Sequence, residues 1–218
     1  MAKLRVHNLS ISLDGYAAGP SQGLENPLGE GGESLHDWAF AQRHFRAVHN
    51  LEGGDEGVDD RWAAREAENG GIGATIMGRN MFGPIRGEWP GDTWKGWWGH
   101  DPPFHHPVFV LTHHARDPIP MQGGTTFHFV TEGIEAALER ATEAANGMDV
   151  RLGGGAATIR EYLRAGLVDE MHVALVPTLL GSGERIFDGL GADFLRRYEI
   201  AEFAGTALAA HARIVRKR

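Results

Sequence analysis

The chain contains no cysteine, so neither a disulfide framework nor a thiolate zinc site can form, and nothing marks an oxidising compartment. Positive charge is also scarce. Its 21 Lys and Arg stand against 29 Asp and Glu, a formal charge of −8, whereas sequence-independent affinity for nucleic acid comes from clustered basic residues. Nucleic acid is therefore not expected as a partner. No apolar run approaches the ~20 residues of a membrane span, and MAKLRVHNLSISLDG lacks the unbroken apolar core of a signal peptide. The expectation is a cytoplasmic protein without a membrane partner. Twelve histidines include His100, His105, His106, His113 and His114, but no HExxH or His-x-His spacing falls on a regular element, so no metal is expected.

What the sequence has in excess is glycine, 31 residues against a usual share of roughly 7%. Hydrophobic residues at 42% and charged residues at 23% of 218 are ordinary for a globular protein, and one domain over 1–218 is expected. Leu4, Val6, Leu9, Ile11 and Leu13 lie largely at period two and predict a first strand closed by Asp14-Gly15. Leu35, Trp38, Ala41, Phe45 and Val48 recur at helical spacing. Strands are predicted at 72–77, 108–111, 125–130, 148–152 and 170–176, with helices over about 59–68, 134–145 and 156–165. Two last strands, 198–203 and 206–215, read as a hairpin turning at Ala204-Gly205. The sum is an α/β, three-layer αβα protein with a mixed sheet and an antiparallel C-terminal hairpin. Segments 19–32, 51–60 and 83–107 read as loop insertions, the second as solvated and acidic.

The strongest chemical signal is LGGGAATIREYL, where a strand ends at Leu152, three glycines follow and a helix begins. Such a turn brings bare N–H groups and the positive helix end to one point, which suits a phosphate or pyrophosphate. It is not the G-x-G-x-x-G fingerprint, because Thr158 stands where the last glycine belongs. At the end of the strand 72–77, Gly78 permits close approach and Arg79 offers a planar fork of donors. In VLTHHARD a strand ends in Thr112, His113, His114 and Arg116. Ligands gather at the carboxyl ends of strands in open α/β sheets, and a dinucleotide has enough phosphates for all three turns.

SLDGYAAG, MGRNMF, LTHHAR, LGGG and DEMHVALVPTLLGSGERIF, in this order, resemble the dihydrofolate-reductase-like family, in its branch of riboflavin-pathway deaminase-reductase C-terminal (reductase) domains. The resemblance implies an NADPH-dependent reductase of a small heterocycle, pterin-like or aminopyrimidine-like, and a homodimer. Gly78, Arg79 and Asn80 would meet cofactor phosphates, while Thr112, His113, His114 and Arg116 would meet the adenosine 2′-phosphate. Gly153, Gly154 and Gly155, with Ala156 and Thr158, would hold the pyrophosphate. Ser10 and Ala17 would line the nicotinamide side, and Leu180, Gly181 and Gly183 the substrate side. MGRNMFGPIRGEWPGD departs from the pattern that holds a ribosyl phosphate in such reductases, and without cysteine there is no deaminase zinc motif.

For proton transfer the candidates are Asp37, at the start of the first long helix, and Asp14, at the tip of the first strand. Trp38, Trp97 and Trp98 are candidate substrate contacts. The four Trp of 88–107 match neither helical nor strand periodicity, so this segment is expected to wall the active site. The competing reading is a non-catalytic dinucleotide- or flavin-nucleotide-binding protein of the same fold.

Overall fold

The computed structural model describes residues 2–217, apart from the side chain of Asn69. In chain order the elements are β1 (Leu4–Ser12), β2 (Tyr16–Ala18), α1 (Asp37–Phe40), α2 (Arg43–Val48), α3 (Val58–Ala64), β3 (Ile72–Gly78), α4 (Arg79–Phe82), β4 (Pro107–Leu111), β5 (Ile119–Pro120), β6 (Thr126–Val130), α5 (Ile134–Ala144), β7 (Asp149–Gly154), α6 (Ala156–Ala165), β8 (Glu170–Val176), β9 (Glu184–Arg185), α7 (Gly191–Arg197), β10 (Tyr198–Gly205) and β11 (Ala210–Arg216).

Nine strands form one sheet in the order β10-β11-β8-β1-β7-β3-β4-β6-β5. The six from β8 to β6 run parallel, and the C-terminal hairpin and β5 add antiparallel edges. All six parallel strands therefore end on the same side, which places Ser12, Gly78, Leu111, Val130, Gly154 and Val176 along one rim. β1 carries the register device that makes its sequence pattern work. Its pairing with β8 shifts between Val6 and Leu9, where Asn8 takes a left-handed backbone at φ 53. This bulge restores parity, so Leu4, Val6, Leu9 and Ile11 all face the core under α5 and α6. Leu13 lies past the strand and is exposed, against expectation.

On that face α6 buries Ile159, Tyr162 and Leu163, each contributing about 1.5 to 3 kcal/mol by removal from water. Gly166, in the left-handed conformation, ends the helix as the sequence predicts. The opposite face is split. Leu35, Trp38, Ala39 and Ala63 cover the β8 side, and Phe82, Phe104 and the Trp-rich segment cover β3, β4 and β6.

Three expectations change. The helix predicted from Leu35 to Val48 is a 3-10 turn (Gly32–His36) followed by α1 and α2. It breaks because Gln42 is extended and Asp55 splints the gap, its N–H donating to Ala41 O at 2.7 Å and its carbonyl accepting from Arg43 N at 3.0 Å. Segment 51–60 is accordingly not a plain solvated insertion, and Asp59 is buried against His211 at 2.6 Å. The C-terminal hairpin turns at 206–209 rather than at Ala204-Gly205, with Thr206 Oγ1 accepting from Leu208 and Ala209 N–H.

Candidate active site

At the rim, β7 runs into the three glycines and α6 starts at Ala156. Gly155 precedes the helix with extended backbone and no side-chain cap, so the N–H groups of the first turn have no side chain to bond. A Cβ added at Gly155 would meet nothing within 4 Å. That is a cradle open to a ligand. Gly154 differs, with φ +144 and Met81 Sδ 3.1 Å from where its Cβ would lie, and its peptide to Gly155 is cis. From β3, Gly78 comes so close to the first turn of α6 that a Cβ there would lie 2.2 Å from Thr158 Oγ1. Gly78, Gly153 to Gly155, Ala156 and Thr158 are thus brought together. The arrangement can bind an anion through backbone donors and the helix dipole.

Beside this cradle, Arg79 and Arg116 flank Trp89, their guanidinium carbons 3.9 and 5.2 Å from its ring centroid. Trp89 Nε1 donates to His114 O at 3.1 Å, and Arg79 Nη2 donates to Glu88 O at 3.3 Å. Arg116 Nη2 donates to the carbonyls of Gly91, Asp92 and Trp94, at 3.3, 3.1 and 2.5 Å. Arg116, expected as a donor to the adenosine 2′-phosphate, is therefore largely a staple of the Trp-rich segment. Among the described residues Arg79 Nε and Arg116 Nη1 are buried without a partner, a state that costs about 1 to 3 kcal/mol per group unless a ligand or water satisfies it. Burial lowers both guanidinium pKa values. Thr112 is buried and accepts from His114 N at 3.1 Å, while His113 is exposed. Asn80 Nδ2 donates to Gln22 Oε1 at 3.0 Å, which ties α4 to the loop at 19–32 rather than leaving that amide free.

Below the rim, on the split face, lies a cleft whose second wall, at 48–50, had no signal in the sequence. A cavity of about 300 Å³ is walled by Val48, His49 and Asn50 on one side and Trp97, Trp98 and His105 on the other. Trp97 and Trp98 Nε1 both donate to Met81 O, at 2.7 and 3.1 Å, and Met81 in turn lies against Gly153 and Gly154. The Trp wall is thereby fixed to the glycine turn. Nearby on β7, Arg151 sits in register with Arg5 and Thr75 and pairs with Glu66 at 2.6 Å. Burial is the largest influence and would raise the Glu66 carboxyl, but Arg151 together with His7, His44 and His106 outweighs it, and the net shift is downward. His106 bonds Thr75 Oγ1 at 2.7 Å and is pushed down to about 4 by burial, then by Arg151. Arg151 was detectable, as a charge between Val150 and Leu152 in an inner strand. Glu66 had no signal. A larger groove, about 740 Å³ between α3 and β10, is lined by Trp62, Arg65, Glu202 and Phe203; the smaller cleft, tied to the glycine turn through Trp97, Trp98 and Met81, is the better candidate for chemistry.

A model of the RibD C-terminal domain matches residues 5–206. The chain belongs to that family. Among solved structures it is similar to a putative riboflavin biosynthesis protein from Shewanella sp. PV-4, at 21% identity and TM-score 0.58, with all of both chains covered. It is also similar to a diaminohydroxyphosphoribosylaminopyrimidine deaminase/5-amino-6-(5-phosphoribosylamino)uracil reductase from Thermotoga maritima (13%, TM-score 0.55) and to RibD from Acinetobacter baumannii (16%, TM-score 0.53). All of this chain is covered in both cases, but only 56% and 58% of those proteins, so it spans little more than half their length. At these identities the likeness is one of fold. No curated protein matches the chain in sequence.

Within this family fold several expected residue roles move. Asp14 accepts from Ser12 Oγ at 2.5 Å, Gly181 N at 2.7 Å and Leu180 N at 3.2 Å, which lowers its pKa to about 2. It is an ionised staple between the β1 turn and 180–181, not a proton donor. Gly183 is likewise a close approach, since a Cβ there would lie 2.0 Å from Ala18 O. Ser10 is buried and accepts from Trp38 Nε1 at 2.9 Å, and Trp38, 1% exposed, is core, so neither reaches a ligand. Ala17 packs on the α6-side core, and Leu180 against the Trp38 cluster. Asp37 is exposed at the start of α1. Of the four Trp, three do join one hydrophobic cluster, with Trp89 and Trp94 edge-on to Phe82, and only Trp97 is exposed, at 39%.

Proposed function

We propose that the chain is an NADPH-dependent oxidoreductase acting on a small planar heterocycle of pterin or aminopyrimidine type. One observation carries the reading: an uncapped helix start with open space at Gly155 lies on the same rim as two guanidinium groups that keep buried, unpartnered nitrogens. Gly153 to Gly155 and the first turn of α6 would hold the pyrophosphate, and Arg79, Thr112, His113 and His114 the adenosine end. The nicotinamide, when bound, supplies hydride. The protein's part is geometry and dryness: Trp97 and Trp98 shield the cleft, and the Glu66–Arg151 pair offers both an acceptor and a donor to a substrate edge. Family membership supports reductase chemistry, and the activity for which the Thermotoga maritima protein is named supports a pyrimidine-like substrate.

We place the protein in the cytoplasm as a homodimer. The strand open to pairing is β10, at the edge of the sheet, with Ile200 and Phe203 65% and 66% exposed, whereas β11 is flanked by β10 and β8. Light scattering near 23.7 kDa at micromolar concentration would rule the dimer out.

Calorimetry and thermal melting with NADPH test the cofactor. At about 100 times the dissociation constant, stability should rise by roughly 2.7 kcal/mol. No binding of either nicotinamide cofactor would sink the proposal. The competing reading, nucleotide binding without chemistry, draws on one observation: Asp14 and Glu66, shifted downward and already bonded, are poor proton donors. Turnover of NADPH with reduced-cofactor absorbance as the readout separates the two.

A further inference from the structure

The Trp89 segment brings a carboxylate to the cationic end of the rim. Glu88 Oε1 lies 3.1 Å from His114 Nδ1, and the same residue's backbone carbonyl accepts from Arg79 Nη2 at 3.3 Å. Its side chain is 88% exposed and makes no other bond among the described residues. Arg79 Nε and Arg116 Nη1 are still without partners, so this corner holds two guanidinium groups and one loosely attached anion. Arg86 and Asp92 are the further charges felt by Arg79 and Arg116.

We propose that Glu88 sets the preference between phosphorylated and unphosphorylated nicotinamide cofactors by standing where the adenosine 2′-phosphate would seek its donors. This rests on reading the rim as a dinucleotide site. A 2′-phosphate carries up to two negative charges; Arg79 Nε stands ready for it, but it can pair with His114 Nδ1 only after the Glu88 carboxylate swings away. The swing is easy, because one contact to an imidazole is all that holds an exposed side chain. With the unphosphorylated cofactor the carboxylate stays and accepts from a ribose hydroxyl, as acidic residues do in Rossmann dinucleotide sites. The Glu88 charge thus opposes NADPH and favours NADH, while the arginines and His114 pull the other way.

The experiment measures dissociation constants for NADPH and NADH on the wild type, Glu88→Gln and Glu88→Asp. Glu88→Gln raises the ratio of NADPH to NADH affinity by about fivefold at low salt, the scale of an exposed charge contact, and the gain shrinks at 1 M salt. Glu88→Asp, which keeps the charge but shortens its reach to His114, shifts the ratio the same way by less. A ratio that stays put, or moves toward NADH, in both variants overturns the assignment of Glu88 while leaving the dinucleotide reading intact. A wild type that binds neither cofactor overturns both.

Discussion

Gly78, at the end of β3, and Thr158, in the first turn of α6, approach so closely that a methyl group on Gly78 would overlap the threonine hydroxyl, 2.2 Å from Oγ1 but 3.4 Å from Cβ. This contact locks the rim ends of two elements together. Gly78→Ala should destabilise the protein by about 1 to 3 kcal/mol, the usual result of overpacking. Adding Thr158→Ala removes Oγ1 and should recover most of that loss. Urea unfolding of the single and double variants gives the coupling, and additive losses would mean that the strain is relieved elsewhere.

The three glycines are not equivalent. Gly155 has φ −77 and open space, whereas Gly154 has φ +144 and Met81 beside it. Gly155→Ala should therefore stay within about 0.5 kcal/mol of wild-type stability yet weaken NADPH binding at least tenfold, because the added methyl enters the cradle. Gly154→Val, which the sequence alone suggests as a clean block of the pyrophosphate site, should instead lower stability. Normal NADPH affinity in a folded Gly155→Ala protein would show that the turn serves packing only.

Trp97 and Trp98 hang from one carbonyl, that of Met81, and wall the cleft. Cofactor or substrate-analogue binding should quench tryptophan fluorescence. Trp97→Ala should raise the Michaelis constant for substrate with little change in melting temperature, since the ring is 39% exposed. Trp98→Ala should cost stability as well, because Trp98 packs edge-on to Phe104. Unchanged kinetics in both variants, accompanied by a change in mass, would place the segment at a subunit interface.

Acid should weaken the fold before carboxylates titrate. His7 is buried, bonds Ala63 O at 3.1 Å, and has its pKa pushed from 6.5 down to about 4 by burial. The unfolded chain binds a proton there below about 6.5, and the folded chain only below about 4. Stability is therefore full above pH 6.5 and falls as pH drops toward 4, by about 3 kcal/mol for this residue. His172 and His211, also lowered by burial, act in the same direction. Urea midpoints between pH 7.5 and 4.5 give the slope, and His7→Gln should flatten it. An unaltered slope would assign the effect to other groups.

The sequence by itself determined whatever depends on near neighbours in the chain. The strand before three glycines and the helix after them are legible in LGGGAATIREYL, because periodicity, the loss of Cβ and a C-terminal Gly166 act within a few residues. Even the three-residue step from Val6 to Leu9 was written there, though only the β1–β8 register showed the Asn8 bulge that explains it. Tertiary structure alone decided what each polar group is free to do. Asp14, Ser10 and Arg116 are typical ligand-binding residues by type and place, but backbone N–H groups of 180–181, the indole of Trp38 and the carbonyls of 91–94 claim them first. Glu66 and Arg151, 85 residues apart, become a pair only because the 3-10 turn Arg65–Gly70 that follows α3 brings Glu66 to β7. A hydrogen-bonding group is committed by whatever the fold brings within about 3 Å of it, and that distance is set between elements far apart in the chain.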